Sequence, residues 1–130
     1  MMACNGRDAT ARNGLRSFPG FVEFPITDCD QPIQRRFERQ VLCHPDAPAV
    51  RLLSSDVNYA ELNFAANRAA RLLLNTVNGD AKPIALMLDQ GYDSILWTLA
   101  VLKAGRCYAP LDQRLPEPVL RAIIDDLSPS

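Results

Sequence analysis

The stretch Leu102-Lys103-Ala104-Gly105-Arg106-Cys107-Tyr108-Ala109-Pro110-Leu111-Asp112 leaves the backbone few choices. Before it, Tyr92, Ile95, Leu96, Leu99 and Leu102 recur at helical spacing, and Trp97, Ala100 and Val101 widen the stripe. Gly105 suits the end of that helix, because glycine enters the left-handed region without steric cost. Only Cys107-Tyr108-Ala109 are then left for a strand before Pro110, which cannot donate to a strand ladder. A helix so apolar is expected to be largely buried, and Trp97 on it reads as core rather than as a ligand-stacking residue.

The same alternation runs through the rest of the chain. Pro32 to Cys43 reads as a helix with Ile33, Phe37 and Val41 as its stripe, closed by His44-Pro45. His44 reads as a solvated cap. Ala49 to Leu53 is a strand candidate, followed by a turn at Ser54-Ser55-Asp56 and a short return through Val57. Asn58 can cap a long helix, with Glu61 three residues on as its capping-box partner. Leu62, Ala65, Ala66, Ala69, Leu72 and Leu73 share one face of this helix, and Asn67, Arg68, Arg71 and Asn75 the other. The alanines suggest close approach to a sheet. Phe64 falls on the polar face, and Asn78-Gly79 supplies a stop. Ile84 to Leu88 is apolar on both faces, as a covered parallel strand is. Gly91 opens the next helix region. Pro116 and Pro118 begin a last helix, with Val119, Leu120, Ile123, Ile124 and Leu127 on one side. The order strand, helix, strand, helix, strand, helix predicts an α/β fold with a mostly parallel sheet and right-handed crossovers. A further strand is expected after the last helix, where the sequence ends.

Residues 1–30 read as a tail or linker, with five Gly or Pro residues and little periodicity. Within it Phe18, Phe21, Val22, Phe24 and Ile26 form an apolar patch that either packs back locally or docks elsewhere. The remaining residues, 31–130, read as one folded unit. A net charge of −1 argues against nucleic acid or anionic membrane as a partner. No apolar run approaches the roughly 20 residues that span a bilayer. Met1 to Gly20 lacks the apolar core of a signal peptide, so a cytoplasmic protein is expected. Cys4, Cys29, Cys43 and Cys107 form no closely spaced pair and His44 is the sole histidine, so no metal site is expected. Reduced thiols are the simplest state for all four, with Cys107 buried in a strand.

The run from Leu102 to Asp112 resembles the L-K-A-G-x-x-Y-x-P-L-D signature of adenylate-forming enzymes, the AMP-dependent synthetase and ligase superfamily. It is most similar to the start of the amino-acid adenylation domains of nonribosomal peptide synthetases. Asn58-Tyr59-Ala60-Glu61-Leu62-Asn63 is similar to the family's [ST]-Y-x-E-L-N element, with Asn in place of Ser or Thr at the cap. The spacing of the two elements fits as well. The resemblance covers roughly Ile33 to the C-terminus and implies part of the N-terminal subdomain of the large lobe.

What the resemblance implies for chemistry lies mostly outside these residues. The family transfers AMP from ATP to a carboxylate and then loads the acyl group on a carrier-protein thiol, with magnesium assisting. Its phosphate loop and its adenine, ribose, magnesium and substrate-pocket residues follow the Pro-Leu-Asp element. Nothing in this sequence fits a phosphate cradle, since Gly79, Gly91 and Gly105 are isolated helix punctuation. Lys103 and Asp112 are the tempting catalytic residues. Lys103 suits the negative end of a helix, and Asp112 suits a turn. No catalytic, cofactor-binding or metal-binding residue is therefore assigned. Asp112-Gln113 departs from the Asp-Pro common in the family, which bears on the rigidity of that loop. ATP and magnesium, the rest of the adenylation domain and a phosphopantetheinyl carrier protein are expected for a full-length relative. For this chain, self-association by an open sheet edge is expected. Two other readings fit the same motifs: part of a fatty-acyl or aryl-acid coenzyme A ligase, and a non-catalytic remnant or interaction module.

Overall fold

The computed structural model describes residues 26–53, 55–77 and 82–128. A short 3-10 turn, Ile26–Asp28, precedes α1 (Ile33–Cys43), β1 (Pro48–Arg51) and β2 (Asp56–Asn58). These are followed by α2 (Tyr59–Thr76), β3 (Ile84–Leu86), α3 (Tyr92–Lys103), β4 (Tyr108–Pro110) and α4 (Glu117–Leu127). The α/β class is as expected. Parallel pairing occurs between β3 and β4, in the register Ile84↔Tyr108, Ala85↔Ala109, Leu86↔Pro110, with α3 as the crossover. β1 does not join that sheet. It turns back on β2 as an antiparallel hairpin with an irregularity between Pro48 and Val50.

Both helix ends that the sequence marks form as the chemistry requires. Asn58 Oδ1 accepts the Glu61 N–H at 2.8 Å, and Glu61 Oε2 accepts the Asn58 N–H at 3.0 Å. At the end of α3, Gly105 adopts φ 71°. Its N–H donates to the Leu102 carbonyl at 3.0 Å, and the Arg106 N–H donates to the Val101 carbonyl at 3.0 Å. This double closure is the Schellman arrangement. It turns the chain from helix into β4 within a few residues.

The core is small and centred on α2 and α3. Leu62, Ala66 and Ala70 of α2 are buried, as are Ala100 and Val101 of α3. The alanines of α2 serve a helix–helix contact, since α2 packs chiefly on α3 and only lightly on β1 and β2. Leu72 is exposed, against expectation. It lies at the margin of the stripe, in a last turn that projects beyond its cover, where Leu74, Asn75 and Thr76 are exposed too. Asn78-Gly79 falls outside the described residues. β3 is shorter than the apolar run suggests. Beyond Leu86 the chain leaves the ladder, and Met87 and Leu88 are exposed. Most of α3 is half-buried rather than buried, Trp97 included, and Ile33 on α1 is exposed. Cys107 is an exposed free thiol just before β4, because its side chain precedes the ladder that only its carbonyl joins. Cys29 is also free and exposed, whereas Cys43 is disulfide-bonded, so the expectation of four reduced thiols does not hold for it. That expectation rested on compartment alone.

Three helices meet at Phe37. Its ring lies 5.9 Å from the Tyr59 ring at the start of α2 and 5.7 Å from the Lys103 ammonium at the end of α3. Lys103 also pairs with Glu38, the next residue of α1. Its side chain is only 5% exposed, while that of Glu38 is 48% exposed. At the other side of α1, buried Asp28 accepts from Arg39 at 2.8 Å and lies 3.5 Å from Arg36, which ties the 3-10 turn to the helix.

Two outcomes follow for stability. Glu38→Gln should destabilise more than Lys103→Met, because it leaves a buried ammonium without its carboxylate, at a cost of about 1–3 kcal/mol after solvent screening of Glu38. Urea unfolding of both variants checks the order, and a larger loss for Lys103→Met would show that the stem packs more than the charge pairs. Phe64 is 65% exposed, with the Arg68 guanidinium 5.9 Å from its ring, and Phe18, Phe21 and Phe24 lie outside the described residues. Phe64→Ala should therefore cost less than about 1 kcal/mol. A loss of about 2 kcal/mol or more, the range of a core truncation, would show the ring to be covered.

Candidate functional site

The parallel pair fixes where a ligand crevice can lie. In open α/β sheets the usable cleft is beyond the carboxyl ends of the strands. Here β3 and β4 end side by side, and the Leu111 N–H extends their pairing by donating to the Leu86 carbonyl at 2.9 Å. Leu111 is buried beneath this point. The two following loops form a crevice of about 400 Å³, lined among others by Met87, Asp89, Gly91, Tyr92, Asp93 and Gln113. Gly91 opens α3 with φ 155° and ψ −160°, a conformation that glycine alone adopts readily.

The loops are tied across the crevice. The Gln113 side-chain amide donates to the Asp89 carboxylate. On the β4 side, Asp112 Oδ1 accepts the Arg114 N–H at 2.9 Å, and the Asp112 carbonyl accepts the Leu115 N–H at 3.0 Å. Asp112 is thus occupied in folding its own turn. Gln113 supplies by a side-chain bond the restraint that a proline ring would supply covalently, so the departure from Asp-Pro does not leave the loop untethered. No sequence periodicity points to the Asp89–Gln113 tie. The unusual Gln after Asp112 was its only signal.

Lys103 stands at the far end of α3, about 18 Å along the helix from the crevice. It pairs with Glu38 and faces Phe37, so Lys103 and Asp112 are not brought together. His44 caps α1, its N–H donating to the Gln40 carbonyl at 2.8 Å. Asn63, the last residue of the first motif, has a buried side-chain oxygen without a hydrogen-bond partner. Among the described residues no group of three His, Cys, Asp or Glu side chains is placed to hold a metal ion. The crevice presents two carboxylates, Asp89 and Asp93, and no Lys or Arg. Its lining offers neither the cations nor a run of free N–H donors that a triphosphate needs.

Comparison with known proteins agrees with the fold and the motifs. The model of the AMP-binding enzyme family matches residues 37–130. A dimodular nonribosomal peptide synthase of Bacillus subtilis is 37% identical over 98 residues, which are 75% of this chain and 4% of that protein. Gramicidin S synthase 1 of Brevibacillus brevis is 34% identical over 97 residues, 75% of this chain and 9% of that protein. The chain thus spans less than a tenth of these relatives. In structure it is similar to the N-terminal subdomain of Klebsiella oxytoca NpsA, with a TM-score of 0.70 at 18% identity, covering 75% of this chain and 26% of that one. It is similar also to NpsA-ThdA, an artificially fused adenylation–PCP di-domain, with a TM-score of 0.71. With 94 of its 130 residues matched by the family model, the chain belongs to the AMP-binding enzyme family.

Proposed function

We propose that residues 31–130 form part of the N-terminal subdomain of a nonribosomal peptide synthetase adenylation domain, with 1–30 as the segment leading into it. In the whole protein that domain activates an amino acid or related carboxylic acid as its acyl-AMP and passes the acyl group to the thiol of a phosphopantetheinyl carrier protein. The observation that carries this reading is the meeting of the two family motifs. Tyr59 of the first and Lys103 of the second both lie against the Phe37 ring, so residues of the two motifs share one joint with α1. The relatives named above are peptide synthetases, which favours an amino acid over a fatty or aryl acid and a carrier protein over coenzyme A.

The ATP triphosphate belongs to other residues of such a protein, since the crevice beside Asp89 and Asp93 offers it no cation. The role of this part is to set the spacing of the β3 and β4 carboxyl ends. A need for ATP supports a cytoplasmic location. The described residues contain no helix long and apolar enough to cross a membrane. The disulfide at Cys43 is the one feature that such a compartment disfavours. Thiol alkylation of freshly lysed cells, without reductant, should find Cys43 protected, and a freely alkylated Cys43 would show that the bond does not form in the cell. Neither nucleic acid nor membrane is expected as a partner of a chain with net charge −1.

The reading is tested by grafting. Residues 33–128 placed in the corresponding part of gramicidin S synthase 1 should leave a folded enzyme that retains amino-acid-dependent pyrophosphate–ATP exchange. A folded chimera without exchange would overturn the assignment. The chain by itself should show no exchange above a no-protein control and should sediment as more than a monomer, because among the described residues β3 and β4 pair only with each other. Clear exchange, or a sharp monomeric melt above about 65 °C, would show a self-sufficient domain.

A further inference from the structure

At the end of α3 opposite the crevice, a second depression lies between α1 and α2, with a volume of about 490 Å³. Gln34, Arg35 and Glu38 of α1 line it together with Asn67 and Arg71 of α2 and Lys103 of α3. We infer that this groove is a docking site for an acidic segment of a second protein.

The charge count is local and specific. Three cations line the groove against one carboxylate, and that carboxylate is already taken by Lys103. The other described arginines mostly have acids of their own: Arg36 and Arg39 share Asp28, Arg114 lies near Asp112, and Arg121 pairs with Glu117. Arg35 and Arg71 are exposed and, among the described residues, have no ion-pair or hydrogen-bond partner. Among the described residues, two guanidinium groups thus lie uncompensated over one depression.

The chemistry of the lining selects the occupant. A guanidinium offers a planar fork of donors that a carboxylate accepts two at a time. The Gln34 and Asn67 amides can each donate and accept, as a peptide backbone requires. Leu74, exposed at the rim, gives an aliphatic flank a surface to cover. The groove is open and mainly polar, unlike the enclosed apolar pockets that hold small molecules. Carboxylates on a protein segment match all three features. The site is independent of adenylation, since it needs no nucleotide and lies a helix length from the crevice.

The test uses the full chain and a fluorescein-labelled Glu/Leu peptide of about three helical turns. Anisotropy at low salt should show binding that weakens as salt screens the charges. The double variant Arg35→Glu/Arg71→Glu changes two exposed helix positions, and circular dichroism checks that it is folded. It should lose at least about tenfold in affinity. Arg51→Glu, an exposed charge reversal on β1 outside the groove, should lose less than about threefold. No binding by the parent chain, or equal losses per charge in both variants, would overturn the proposal. Displacement of the peptide by inorganic phosphate at matched ionic strength would overturn it too, in favour of a small-anion site.

Discussion

The Phe37 ring, with the Lys103 ammonium and the Tyr59 ring both against it, is the contact on which the helical part of the molecule turns. It belongs to α1, yet its neighbours are the first residue of α2 and the last of α3. A cation buried at the end of α3 is acceptable there for three reasons. Glu38 neutralises it, the Phe37 face receives it, and the carbonyl ends of the helix favour positive charge. The contact therefore fixes the ends of two helices whose middles approach through alanines. Ala66 and Ala70 of α2 and Ala100 of α3 are buried, and side chains so small define distance better than direction. The polar and aromatic joint supplies the direction.

Seen this way, the two motifs are architectural. In Asn58–Asn63, Asn58 and Glu61 start α2 and Tyr59 docks it. In Leu102–Asp112, Lys103 docks α3, Gly105 ends it, and Leu111 seals the parallel pair. Their shared product is a pair of strand ends held at a set separation, with Gln113 and Asp89 joined across the gap. Both motifs thus act on the frame of the fold, through helix ends and strand ends.

Much of this was legible in the sequence, and the reasons are local. A cap with its reciprocal acid, a glycine after an apolar helix and a proline after three strand residues act within one turn of chain, so Asn58, Gly105 and Pro110 mark their boundaries unaided. Less legible were features set by what lies across the fold. The apolar run Ile84–Leu88 does not reveal that only Leu86 and its predecessors find a partner strand. The alanine stripe of α2 fits a sheet as well as a helix, and only the structure shows that α3 fills it. Leu72 is apolar and roughly in phase, but the cover stops before it. Lys103 could be read as a helix-end charge. That it reaches back to Glu38, 65 residues earlier, is not visible in any local pattern.

The two sheets share no hydrogen bond. Among the described residues β1 pairs only with β2 and β3 only with β4, and the two parts are joined chiefly by α2 and α1 lying on α3. No ladder carries register from one half to the other. The hairpin tip between Arg51 and Asp56 is accordingly a place where chain length is free to vary. Extra residues there lengthen an exposed loop at small entropic cost and shift nothing in the β3–β4 register. Lengthening the turn after Leu86 or after Pro110, by contrast, alters the gap that the Asp89–Gln113 bond spans. A change of length is thus borne easily at one end of this molecule and not at the other.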